Sequence, residues 1–358
     1  MFNKKKIEVI TEYKYLGTII TTVTNDMFAK NPDHLTGKVR NALFALDCYI
    51  QHSVNYLQTS LALKMFDTQI LPIMEYMSEI WYKNKILSDM EKTHLNYIKT
   101  SLRVKSSSST WAVYAESGRF PLKIKIQVQL IKYWKRILRQ DDDSIIKKAY
   151  KSLYELHGMG QDNWCTHVQD ILNEADMQSV WVEQYISDRD LAKLKEKLYQ
   201  SYMDKCLANI YDSESNPKLR TYKLFKNEFK LETYLTHPHN INHTVALTRF
   251  RISSHNLRIE TGRYTKPQKT PVDDRICLYC SSQSIEDELH FILECDLYTS
   301  ERSKLLQICY DNIPGFIDVT KEDKFINIMS TNETAMVKQL GKYLHDCFKK
   351  RTDIVIQE

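Results

Sequence analysis

Four side chains at the spacing Cys277-x2-Cys280-x9-His290-x4-Cys295 constrain this chain more than any other feature it carries. Two cysteines separated by two residues reach one ion from a single tight turn. His290 and Cys295, about one and a half helical turns apart, close the far side from a second element. Four nitrogen and sulfur donors fill a tetrahedral zinc site and leave no position open for water, so the expected Zn2+ is structural and not catalytic. Only about twenty residues span the donors, too few for a core of their own, so the metal is expected to supply the folding energy of this module. Ser281–Ser284 reads as its polar turn, and Phe291, Ile292 and Leu293 as its apolar side. The alternative is a set of reduced cysteines around one buried histidine.

Of the 8 cysteines Cys48, Cys165, Cys206 and Cys347 are scattered singles and Cys309 lies close to the cluster; no secretory leader is evident, so a disulfide framework is not expected. Glycine and proline number 8 each in 358 residues, which argues against a turn-rich sandwich or barrel. It also leaves neither GxGxxG nor GxxxxGK(S/T), the glycine-rich cradles of nucleotide phosphates. No run approaches the ~18 apolar residues of a membrane helix. The expectation is a soluble intracellular protein of nucleus or cytoplasm, without a membrane partner.

The net charge of +5 is unevenly placed. Arg119 to Arg139 holds 7 basic residues and no acidic one, and Arg249 to Arg275 holds 7 basic and 3 acidic. Together these windows exceed the charge of the whole chain, as a polyanion-binding surface requires. On a helical wheel Ile126, Leu130, Trp134, Ile137 and Leu138 share one side, and Lys125, Lys132, Lys135, Arg136 and Arg139 the other. A merely solvated helix face is the plain alternative. His237, His239 and His243 form a looser cluster, read as a polar loop because Pro238 breaks any shared coordinating face.

Apolar periodicity makes the chain mainly α, with a short N-terminal β-hairpin and a small C-terminal zinc knuckle. Lys4 to Val23 reads as extended, with Gly17 at the bend. Helical spacing follows over Leu35–Leu46, Thr59–Tyr82 with a kink or break at Pro72, Leu87–Leu102, and Leu191–Met203. Asn240–Ser254 reads as helix, Lys266–Asp274 as loop, and the tail over Glu322–Lys350 as helical and peripheral.

The order of several short motifs resembles the C-terminal region of a non-LTR (LINE-type) retrotransposon reverse transcriptase. The motifs are Tyr13-Lys-Tyr-Leu-Gly17, Ile70-Leu-Pro72, Glu75-Tyr-Met-Ser-Glu-Ile-Trp81, Tyr114-Ala-Glu-Ser-Gly-Arg-Phe-Pro-Leu122 and the run Arg249–Tyr264. Glu286-Asp-Glu-Leu-His290 and Cys295-Asp-Leu-Tyr298 complete the series. Met77 stands where that family usually has glycine, and Ser117 where it has leucine. The resemblance implies an end-of-palm hairpin over 1–30, a thumb-like helical domain over 31–140 and a helical linker over 141–248. A basic segment with a CCHC knuckle over 249–300 and a helical tail over 301–358 would follow.

It also implies what the chain does not carry. The family's polymerase needs the palm motif Phe/Tyr-Ala-Asp-Asp, whose aspartates hold two metal ions. Here Asp141-Asp-Asp143 follows Gln140 and reads as a charged helix end. The expectation is therefore a non-catalytic RNA- or DNA-binding fragment of this transposable-element family, with a separate polymerase-competent chain as a further partner. Arg249, Arg251, Arg258, Arg263 and Lys266, with Lys125, Lys132, Lys135, Arg136 and Arg139, are the expected phosphate contacts. A domesticated helical adaptor, using the zinc module for protein contacts, is the second reading.

Overall fold

The computed structural model describes residues 9–23, 27, 30–52, 58–82, 84–236 and 240–357. It is mainly helical, with one small antiparallel sheet at the N-terminus. Strand Glu12–Tyr15 pairs with Thr18–Thr21, Tyr15 opposite Thr18, across a two-residue turn at Leu16 and Gly17. Asn31 holds this hairpin on the helix it opens, Asn31–His52. Its amide accepts from Ile19 N–H and donates to Ile19 C=O, both at 2.7 Å.

The chain divides into two compact units. The first comprises residues 1–54, 64–94 and 121–200, and the second 55–63, 95–120 and 201–358. Residues 141–200 thus group with the first unit and 201–248 with the second, so the expected linker over 141–248 is shared between them.

In the first unit Pro72 splits the expected long helix. Helix Leu71–Glu75 carries it at its start, and Ser78–Trp81 follows after a left-handed Met77. Helix Leu122–Leu138 is the centre of this unit, with Ile126, Leu130, Ile131 and Trp134 fully buried. Its apolar residues reach further round the helix than one wheel face, and Trp134 donates to the Tyr150 hydroxyl at 2.9 Å.

The second unit has one continuous core. Helices Ile241–Arg251 and Thr299–Asn312 pack on the long helix Thr334–Gln357, and Thr110–Ser117 and Lys321–Ser330 add residues to the same core. That last helix corrects the expectation of a peripheral tail. Leu340, Tyr343, Leu344 and Cys347 point into the core, and Tyr343 donates to Phe291 C=O at 2.7 Å. Its polar residues face outward at the periods an amphipathic helix allows, so sequence position alone misplaced it.

Candidate metal centre and the cationic cleft beside it

The knuckle begins as a short hairpin. Cys277 N–H donates to Ser284 C=O at 2.8 Å and Glu286 N–H to Arg275 C=O at 2.9 Å, leaving Cys280 in the turn between. The second pair of donors rides on a π-helix, His290–Glu294, closed by a bond from Cys295 N–H to His290 C=O at 2.9 Å. This corrects the expected one and a half turns. Five residues of α-helix rotate by about 500°, which would turn Cys295 roughly 140° away from His290. The wider i→i+5 winding brings them back to one side, and such single π-turns gather at functional sites.

All four donor atoms lie within 4.8 Å of one another. Cys277 Sγ stands 3.9 Å from Cys295 Sγ, and Cys280 Sγ 3.4 Å from His290 Nε2. Zinc–sulfur bonds of about 2.3 Å and zinc–nitrogen bonds of about 2.0 Å in a tetrahedron require edges of about 3.5–3.8 Å. The donor set therefore fits Zn2+. The outer groups fit as well: Tyr279 N–H donates to Cys277 Sγ at 3.4 Å, and Glu294 Oε2 lies 3.3 Å from His290 Nδ1. A carboxylate behind the imidazole fixes its tautomer and turns the other nitrogen to the ion. Glu294 is itself ion-paired with Lys321.

The site is built for positive charge. The hydrogen bond with Cys295 holds the Cys277 thiol far below its ordinary range, against burial. Burial opposes a protonated His290, yet the bond and the charge of Cys277 outweigh it and lift the imidazole to about 9.

The knuckle is no isolated module. Phe291 packs against Tyr298 and Phe348 at 4.7 Å each and against Phe250 at 5.7 Å. Cys277, Phe291, Ile292 and Cys295 belong to the core of the second unit. The expectation that metal alone supplies the folding energy is corrected accordingly, because protein packing already supports one side of the site.

Beside the knuckle opens a cleft of about 750 Å³, lined among others by Lys105, Arg249, Tyr279, His345, Lys349 and Arg351. The Arg351 guanidinium lies 4.3 Å from the centre of the Tyr279 ring and is paired with Glu286 at 3.0 Å. Lys105 reaches the mouth, bonded to His255 C=O at 3.0 Å. Its pKa is lowered by burial and by the charges of Arg249 and Lys218, and that of Arg103 by burial and Arg249. Cations crowd here enough to repel one another.

The expected phosphate contacts divide sharply. Arg249 is exposed on the cleft, with Nε donating to Arg103 C=O at 2.7 Å. Lys266 is exposed on its loop and Arg258 is half-buried. Arg263 is tied to Glu260 at 3.2 Å and to Pro217 C=O at 3.0 Å. Arg251 is a correction: it is 4% exposed and paired with Glu116, out of reach of any strand. On helix Leu122–Leu138, Lys135 is likewise buried and bonded to Asp188 at 2.6 Å, and Lys125 to Glu75 at 2.6 Å. Arg139 shares Asp188 at 3.4 Å, while Lys132 and Arg136 remain exposed. The wholly basic side read from the wheel is thus largely neutralised by carboxylates of other segments.

Lys105, Lys349 and Arg351 were missed in the sequence because Lys105 lies far along the chain from the other two and meets them only through the fold. His237 and His239 lie outside the described residues. His243 stands in helix Ile241–Arg251 and not in a loop. No helix among the described residues is long and apolar enough to cross a membrane. Compared with protein families, with curated proteins and with solved structures, the chain matches none of them.

Proposed function

We propose that this chain binds single-stranded RNA or DNA without catalysis of its own, along the cationic cleft beside a zinc knuckle. The observation that carries this reading is the convergence of Lys105, Arg249, Lys349 and Arg351 on the cleft, where, after burial, the charge of Arg249 lowers the proton affinity of Lys105 and of the nearby Arg103. A phosphate strand relieves that repulsion and releases counterions on binding. Tyr279 at the cleft offers a ring on which an unpaired base stacks, next to Arg351. The resemblance to the region behind a reverse-transcriptase palm agrees with such a grip, as does a structural Zn2+ held by Cys277, Cys280, His290 and Cys295.

The test is a titration of the full chain with a labelled oligonucleotide at low and moderate salt. Affinity should fall steeply with salt, and Lys105→Glu with Arg249→Glu should flatten that slope and weaken binding at least tenfold. Affinity that ignores both salt and these reversals overturns the proposal. A second reading, an adaptor of protein partners, is favoured by one observation in the first unit: Ile145, Met159 and Val182 are 86%, 75% and 76% exposed. Retention of nucleic-acid binding separates the two readings.

A further inference from the structure

We infer that His243, His345 and Asp346 form a second metal site in this protein, for a borderline divalent cation such as Zn2+ or Co2+, distinct from the knuckle. The site arises where two helices meet. His243 stands in the first turn of Ile241–Arg251, and His345 and Asp346 lie on Thr334–Gln357. Gly341, one turn before His345, makes the approach possible. A Cβ there would lie 3.1 Å from both the His243 Cβ and its carbonyl oxygen, so a larger residue would push the two helices apart. With glycine in place, the His243 and His345 rings come to 5.3 Å between centroids, tilted by 48°.

One donor atom from each of the three side chains lies within 4.8 Å of the others. An ion with nitrogen and oxygen donors at about 2.1 Å needs them about 3.4 Å apart. Rotation about the broad terminal torsions of half-exposed His and Asp side chains closes the difference. Asp346 Oδ1 already lies 3.0 Å from His345 Nδ1. An ion held there displaces the proton the two atoms share, so that Asp346 and His345 ligate side by side from one helix while His243 closes on it from the other. Imidazole and carboxylate together suit zinc, cobalt and nickel better than magnesium or calcium. Fewer than four protein donors leave a coordination position to water or to an anion, and His345 faces the cleft where an anion would lie. The knuckle is saturated by its own four donors; this site, with three, keeps one position open.

The inference stands apart from the nucleic-acid proposal, since metal uptake is read without any oligonucleotide present. The experiment takes the full chain with its knuckle loaded by one equivalent of Zn2+ and dialyses it against increasing Co2+. The expected result is one further saturable equivalent of Co2+, with weak d–d absorption and no thiolate charge-transfer band. His243→Ala with His345→Ala should abolish that equivalent while the knuckle zinc stays bound, which reports an intact fold. Asp346→Asn, on a half-exposed side chain, should weaken it at least about tenfold by removing the anionic donor. No saturable uptake beyond the first equivalent overturns the inference. So does a second equivalent that survives the double histidine replacement.

Discussion

Arg251 and Glu116 face one another inside the second unit, Nε to Oε1 at 2.5 Å, with the carboxylate 0% and the arginine 4% exposed. The pair joins the segment Tyr114–Leu122 to the segment Arg249–Tyr264, two stretches the sequence singles out for quite another reason. Tyr222 and Tyr234 donate to the same carboxylate at 2.8 and 2.7 Å, and Arg251 lies against the Phe225 ring at 4.7 Å. Glu116 is therefore satisfied on both oxygens in a dry place. Removing one partner strands the other's charge, at about 3–5 kcal/mol. Arg251→Met should lower the free energy of unfolding measured in urea by that much, and adding Glu116→Gln should recover part of it. A single variant as stable as the parent would show that the pair contributes nothing.

Acid should loosen this unit before it affects the first. Burial pushes the Glu116 carboxyl up, but the charges of Arg251 and Lys226 more than offset it and hold it below its ordinary 4.5. Glu288 is also held well below its ordinary range, where the charge of Arg220 and the contact with His255 outweigh burial. A carboxyl depressed in the folded state contributes stability above its unfolded pKa and loses it as pH falls toward the folded one. Stability should therefore decline from about pH 5 downward and keep declining, as protons bind the unfolded chain first. Chemical denaturation at a series of pH values reads this directly, and a flat midpoint down to about pH 3 would count against it.

Gly118, the glycine of the Tyr114–Leu122 segment, is required by space as well as by backbone. Its φ is +60°, and an added Cβ would fall 2.2 Å from Leu231 N, where Ser117 and Leu231 pair as a short antiparallel bridge. Gly118→Ala should part that bridge and destabilise the second unit by about 1–3 kcal/mol, whereas Gly160→Ala, with nothing within 4 Å of the new Cβ, should report the backbone cost alone. Thermal melts of the two variants make the comparison.

Withdrawing the knuckle's metal tests how far protein packing supports it. Cys280→Ser should lose stoichiometric zinc, and Glu294→Gln should weaken it roughly 10–100-fold by releasing the His290 tautomer. Because Phe291 and Ile292 sit in the shared core, a chelator should leave most of the helical circular dichroism in place. Limited proteolysis should then cut near residues 278–284. A complete loss of helix would restore the expectation that the ion alone folds the module, and an unchanged digest would remove the metal from the account.

How much of this was legible beforehand depends on distance along the chain. The knuckle was, since its donors lie within one short segment and their types are specific. So were the hairpin at Gly17, the break at Pro72 and the buried Trp134, each a local signal. The π-turn at His290 was not, because sequence spacing does not state its own winding. Neither was Arg251, whose counter-charge Glu116 lies in another segment; a wheel or a charge window sees one element and never its neighbour. The same blindness hid the meeting of His243 with His345.

The helix Leu122–Leu138 gives the sharpest test of that lesson. Its cations were read as one strip, yet Lys125 and Lys135 each have a carboxylate at 2.6 Å, and Arg139 shares Asp188 with Lys135. Only Lys132 and Arg136 stand exposed without a carboxylate at ion-pair distance among the described residues, and Arg136 lies over the Tyr133 ring at 4.8 Å. Two point charges on an otherwise neutralised surface attract a strand weakly, and salt screens them within about 10 Å at 0.1 M. Lys132→Glu with Arg136→Glu should therefore change oligonucleotide affinity less than threefold and leave the salt slope nearly as it was. The same two charges reversed at Lys105 and Arg249 should lower both, because there the cations are concentrated in a concave cleft whose walls focus the field. Binding curves of the two double variants, taken at matched salt, decide between strip and cleft: an equal loss from both would return the strip to the interface.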